Sequence, residues 1–239
     1  MPAQPNQSLI DGLRVLQMLA SHAGPIGSRE MAARLDLEPT RANRLLGTLA
    51  ELGLAEQDGD RKYRPGPGIH VLAAQSLQGS HLLACALLYL EALREEDLTV
   101  ALGVLWQRQV CFLFHARSGM KMEDAIGTHE LEPAGNSSIG VLFLAQHDDE
   151  EEIARAQEEL ASVRKPPQTP LVKSVAAARR KGYGRLDFPG GGVSLAVTIG
   201  VPPIAGIAAS AKMDEARVTE VVTRLRDTAQ SITRAMAEV

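Results

Sequence analysis

SREMAARLDLEPTRANRLLGTLAELGLAEQDGDRKYR, residues 28–64, decides how the rest of the chain is read. Ser28 stands where a helix cap is wanted, and Met31, Ala32 and Leu35 recur at a spacing that lines one helical face. Asp36-Leu37-Glu38-Pro39 interrupts the pattern, because the ring of Pro39 disfavours helical geometry at Glu38. A second helical pattern begins near Thr40, with Ala42, Leu45, Leu46, Leu49 and Leu52 as its apolar stripe. Gly53 follows, where a left-handed residue closes a helix at little cost. Residues 54–57 and 62–64 then flank Asp58-Gly59-Asp60-Arg61, and an Asp-Gly pair is a strong hairpin signal.

Two helices, a tight turn and a polar hairpin in this order predict a winged helix-turn-helix that reads double-stranded DNA. The outer face of the second helix carries Thr40, Arg41, Asn43, Arg44, Gly47 and Thr48. Arg to guanine and Asn to adenine are favoured bidentate pairings in the major groove. The expected contact set is Ser28, Arg29, Thr40, Arg41, Asn43, Arg44 and Thr48 on the helices, with Arg61, Lys62 and Tyr63 on the wing. A solvated helical face beside an ordinary hairpin is the competing reading, as is a winged helix that binds protein. Against the latter, partner surfaces usually offer apolar anchors.

Charge qualifies the expectation. Up to Ser80 the chain has eight Lys or Arg and eight Asp or Glu, so one copy gains little from neutralising phosphates. Two copies on one operator would compensate, and a homodimer or homotetramer is therefore expected. The net charge of −4 falls on the remaining residues and argues against a polybasic membrane surface. Cys85 and Cys111 give neither a disulfide framework nor a metal-spaced cluster, and no cofactor or metal is expected. The opening MPAQPNQ lacks a charged-then-apolar signal and no apolar run reaches membrane-spanning length, so the expected location is cytoplasmic, with no membrane partner. An aromatic content of 3% disfavours a binder that stacks single-stranded bases.

Around the central stretch, a first helix is predicted from Ser8, with Asp11 three residues on as in a capping box and Leu9, Leu13, Leu16 and Leu19 inward. PGPGIH marks a boundary, giving a winged-helix domain over 1–66, a linker helix over 67–80 and a second domain over 81–239. That second domain reads as a helix over 81–97, strands over 100–106 and 110–115, and an irregular or weakly strand-like stretch over 117–133. Helices over 137–146, 149–161 and 172–181 follow, then a strand pair over 193–199 and 204–209 and a last helix over 213–237. Strands and helices without regular alternation indicate an α+β fold.

The run EPTRANRLLGTL, residues 38–49, resembles the reading helix of the IclR family of bacterial transcriptional regulators, which typically runs Pro-Lys-Ser-Thr-x-x-Arg-Leu-Leu-x-Thr-Leu. Arg44, Leu45, Leu46, Thr48 and Leu49 match. Pro39 stands where the family commonly has Lys, which leaves Arg41 as the candidate replacement for that phosphate contact. Asp36 takes the usual turn-glycine position, which Asp tolerates if the backbone is left-handed. The resemblance continues to the C-terminus. It implies a GAF-like effector-binding domain and a linker helix that contributes to dimer contacts.

By the same resemblance three segments converge on a small-molecule pocket: AGNSSIGVLFLA at 134–145, GYGRLDFPGGGVSLAV at 182–197 and GIAASAK at 206–212. They supply Asn136, Ser137, Ser138, Ile139, Asp187, Ser194 and Ser210 as expected effector contacts, while Ala208 replaces a family Ser. Helix-start amides near Asn136 and Ser137 would favour an anion, so a small organic or aromatic acid is the expected effector. The bland reading is that Asn136 and Ser137 only cap a helix. An enzyme is the other alternative. NSSIG partly resembles a GxSxG nucleophile elbow at Ser138, with His115 or His129 as the candidate partner, but LEPAG precedes it instead of the strand an elbow needs.

Overall fold

The computed structural model describes residues 4–94, 97–117, 119–127, 131–147 and 149–238. Two compact units divide it, Met1–Ser80 and His81–Val239. Among the described residues no single helix is long and apolar enough to cross a membrane.

The first unit opens with α1 (Gln7–Ser21), α2 (Ser28–Leu35) and α3 (Pro39–Glu51). The strands β1 (Ala55–Gln57) and β2 (Tyr63–Pro65) form the hairpin, and α4 (Pro67–Ser80) follows. Asn6, not Ser8, caps α1: its side chain accepts from the backbone N–H groups of Ser8 and Leu9. The buried face of α1 also differs from expectation. Asp11, Val15 and Leu19 point inward, while Leu9 and Leu13 remain 62% and 53% exposed. Val15 and Leu19 pack inward at the edge of the apolar stripe, and Asp11 is drawn in beside them by an arginine described below. At α2 the cap is Gly27, and Ser28 is the first helical residue with no side-chain capping bond.

Asp36 ends α2 in the left-handed region at φ 54°, and Pro39 occupies the first turn of α3, where its missing N–H costs nothing. Ala42, Leu46 and Leu49 of α3 pack with Val15, Leu19, Ile26, Met31 and Leu35 in one core. Leu52, expected in that stripe, is exposed beyond the helix end. Ile26 exchanges both backbone hydrogen bonds with Tyr63 at 2.8 Å and so fastens the hairpin to the helices. By contrast α4 buries none of its residues.

The second unit is built on a six-stranded antiparallel sheet in the order β5-β4-β3-β8-β7-β6. Its strands are β3 (Thr99–Trp106), β4 (Gln109–Ala116), β5 (Leu131–Pro133), β6 (Gly184–Phe188), β7 (Gly192–Ile199) and β8 (Ala205–Lys212). Alternation along each strand divides the side chains between two cores. Val100, Leu102, Leu195, Val197, Ile207 and Ala209 meet α5 (Leu82–Leu93) and α10 (Glu215–Ala237) on one face. Ala101, Ala196 and Ala208 turn to the other, where α7 (Ser138–Leu144), α8 (Glu150–Glu159) and α9 (Leu171–Lys181) lie. The short α6 (Met122–Ala125) falls between β4 and β5.

The position of α7 depends on glycines. Gly103 and Gly206 face each other in register on β3 and β8, and a Cβ on either would come within 3.2 Å and 2.8 Å of the Ile139 side chain. Ile139, wholly buried, fills the socket they leave. On β6, a Cβ at Gly184 would lie 2.2 Å from the backbone oxygen of Ser138. The first turn of α7 therefore rests directly on the sheet.

Candidate functional site

Two sites emerge, one in each unit. On the first, the helical period of α3 turns Thr40, Asn43, Arg44, Gly47 and Thr48 outward once Ala42, Leu46 and Leu49 are buried. The side chains of Asn43 and Arg44 make no hydrogen bond or ion pair among the described residues. Thr48 donates its hydroxyl to the Arg44 carbonyl at 3.0 Å. Arg29, Arg61 and Lys62 are exposed. The hairpin tip is held by Asp58, whose Oδ1 accepts from the backbone N–H of Asp60 and Lys62.

Three expected contacts sit differently. Tyr63 is 5% exposed, a core residue under the wing. Arg41 is engaged, its Nη2 lying 2.7 Å from Asp11 Oδ2. Ser28 is half-buried at the start of α2.

On the second unit, a cavity of about 550 Å³ opens on the sheet face that carries α7. Its floor follows from strand register. Thr99, Ser210 and Ser194 are neighbours across β3, β8 and β7, and Ala101 pairs with Ala208 two positions on. Small side chains in both rows leave the space. Asn136, Ser137 and Ser138 form the roof, Phe112, His115 and Phe188 the walls, and Arg117, Met120, Asp124 and Glu132 complete the lining.

The polar groups are mostly satisfied by one another. Ser210 Oγ donates to Ser194 Oγ at 2.8 Å, and Ser194 and Ser138 share a second hydroxyl bond of 2.8 Å. Asn136 Nδ2 donates to Glu132 Oε1 at 2.6 Å, while its Oδ1 is buried with no partner among the described residues. The His115 ring lies 5.3 Å from that of Phe112. Burial pushes the His115 pKa down, and the nearby Arg117 cation adds to this.

Asn136, Ser137, Ser138, Ser194 and Ser210 thus meet in one cavity, but Ile139 and Asp187 do not join them. Ile139 is the anchor of α7. Asp187 binds Arg185 at 2.9 Å, which also holds Glu215, and the two carboxylates raise the pKa of that arginine. The seven residues of α7 are too few to carry much of a dipole, which weakens the helix-start argument for an anion. As effector contacts, sequence reasoning missed Thr99, Phe112, Arg117, Glu132 and Phe188, and it weighed His115 only as a catalytic partner of Ser138; strand register is what places Thr99, Phe112 and His115 on this face. For the enzyme alternative, the Ser138 hydroxyl pairs with Ser194, which cannot act as a general base, and His129 lies outside the described residues.

The helices and hairpin define a winged helix-turn-helix domain, and the sheet with helices on both faces defines a GAF-like α+β domain. Residues 8–59 match the IclR helix-turn-helix domain. The glycerol operon regulatory protein of Streptomyces coelicolor is 28% identical over 141 residues, covering 58% of this chain and 56% of that protein. The acetate operon repressor of Salmonella typhimurium is 30% identical over 151 residues, covering 61% and 54%. The chain spans about half the length of these curated relatives. A solved IclR homologue from Microbacterium hydrocarbonoxydans, complexed with 4-hydroxybenzoate, shares the fold at a TM-score of 0.68 and 23% identity, over 98% of this chain and all of that one. Residues 8–59 therefore carry an IclR helix-turn-helix domain, and the chain as a whole is similar in fold to IclR-family regulators.

Proposed function

We propose that this protein is a transcriptional regulator whose affinity for promoter DNA changes when a small organic or aromatic acid occupies the C-terminal cavity. One observation carries the DNA half: Asn43 and Arg44 stand exposed on an outer face of α3 that presents Thr40, Gly47 and Thr48 beside them, and neither side chain has a partner among the described residues. Side chains without internal partners can give every donor to base edges. Arg29, Arg61 and Lys62 add exposed cations for phosphates.

The cavity supports the second half. Its size suits a small metabolite. Floor alanines between the rings of Phe112, His115 and Phe188 suit a flat ligand, and Arg117 with the serine hydroxyls suits a carboxylate. The homologue bound to 4-hydroxybenzoate supports the same ligand class. Such a ligand acts only if it binds two arrangements of the protein with different affinity. A homodimer or homotetramer is supported by α4, which leaves Val71, Leu72 and Leu77 exposed, and by Leu9 and Leu13 of α1.

Binding of the wild-type chain and of Arg44→Ala to a duplex from its own upstream region tests the DNA half, and unchanged binding by the variant would remove α3 as the reading helix. For the cavity, thermal shifts with organic and aromatic acids, 4-hydroxybenzoate included, should vanish in Ser194→Leu and Ser210→Leu. A shift that survives both places the ligand elsewhere.

A further inference from the structure

Two arginines three residues apart on α3 occupy opposite situations. Arg44 is open, whereas Arg41 pairs with an Asp11 side chain that is only 3% exposed. The remaining oxygen of Asp11, Oδ1, accepts from Gln7 Nε2 at 2.9 Å and lies 3.7 Å from Arg14 Nη1. Arg14 in turn donates through Nη2 to the carbonyl of Leu35, the last residue of α2, at 3.2 Å. One buried carboxylate therefore joins all three helices: α1 directly, α2 through Arg14 and α3 through Arg41. The clasp brackets the turn Asp36-Leu37-Glu38.

Electrostatics decides whether Arg41 could leave this arrangement for a phosphate. Its departure would strand Asp11 Oδ2, whose described partner is Arg41, inside the protein. Breaking a buried pair from one side is strongly unfavourable, whereas a replacement pair formed at a solvated surface returns little. We propose that Arg41 is a positioning residue and not a DNA contact: held by Asp11, it fixes the first turn of α3 so that Asn43, Arg44 and Thr48 meet the bases in register. This rests on the reading of α3 as the helix that meets DNA. It also withdraws Arg41 as the substitute for the lysine that Pro39 replaces.

The test is a salt titration of binding to duplex DNA from the protein's own upstream region, using wild type, Arg41→Met, Arg41→Lys, Asp11→Asn and the Arg41→Met/Asp11→Asn pair. Measurements are made at a temperature where circular dichroism shows every variant folded. Arg41→Met and Asp11→Asn should each weaken binding about tenfold, the double variant no further than either alone, because both break one clasp. The slope of log K against log salt should match wild type, and Arg41→Lys should recover most of the loss. The proposal is overturned if Arg41→Met makes the slope shallower by about one per bound chain while Asp11→Asn binds as tightly as wild type or more tightly.

If the wild-type chain binds no duplex, the DNA reading itself fails, and hydrogen exchange judges the clasp separately. Asp11→Asn should then speed exchange at the Ala42 amide, which donates to Glu38, while Leu49 stays protected. Equal rates in variant and wild type would remove the clasp.

Discussion

The outer face of α3 and the C-terminal cavity use similar polar side chains in contrary ways. On α3, the side chains of Asn43 and Arg44 have no partner among the described residues and are held only by the backbone beneath them. In the cavity, Ser210, Ser194 and Ser138 form a chain of hydroxyls, and Asn136 leans on Glu132. A side chain on the first surface can be removed at little cost to folding but at full cost to recognition. One in the second is part of the fold, and a ligand there must exchange bonds with the wall instead of simply adding them.

Four measurements would sharpen or break that contrast. The largest effect should come from one substitution made in both places. Gly184→Ala drives a Cβ to 2.2 Å from the Ser138 carbonyl and should cost about 3 kcal/mol or more in chemical denaturation of the second unit. Gly47→Ala meets nothing within 4 Å and should stabilise the first unit by about 0.5–1 kcal/mol. Next in size, Arg44→Ala should lose about 1–3 kcal/mol of promoter binding while its unfolding midpoint stays that of wild type. Ser194→Ala should show the reverse balance. It leaves two hydroxyls without their shared partner, for a loss of about 1–2 kcal/mol in stability with DNA binding intact.

The smallest effect is a pH dependence. His115 has its pKa lowered in the folded protein, so the unfolded chain binds more protons as pH falls through the ordinary histidine range near ~6.5. Its contribution is therefore intact above that range and lost as pH falls towards the folded value. Melting temperature should drop more between pH 7.5 and 5.5 in wild type than in His115→Phe, and equal drops would show that burial of His115 does not govern its titration.

Legibility divided along the same line. Helix, turn and wing were readable because each depends on near neighbours: Pro39 on Glu38, a left-handed Asp36 on its own short side chain, the hairpin on Asp58 and Gly59. Where a residue's role depended on distant partners, reading failed. Leu9 and Leu13 were expected inside because they fit a helical period, yet Asp11 took that face through Arg41, thirty positions away. Tyr63 looked like wing surface until its pairing with Ile26 made it core. The cavity was visible only in the segments that resemble a known family. Thr99 and His115 belong to it because β3 lies between β4 and β8, a neighbour relation with no local signature, and β6 was not predicted as a strand.

The glycine socket beneath Ile139 has a practical consequence for anyone wishing to retune this protein as a biosensor. With no Cβ on either strand below it, the roof is riveted to the sheet, and enlarging or tilting it would disturb the domain before it altered ligand choice. The floor carries no such restraint. Ala101 and Ala208 are paired small residues on adjacent strands, so exchanging either for Ser or Val adjusts the headroom over the sheet by one or two heavy atoms at a time. A selectivity library therefore belongs at those two positions, with the roof left as it is.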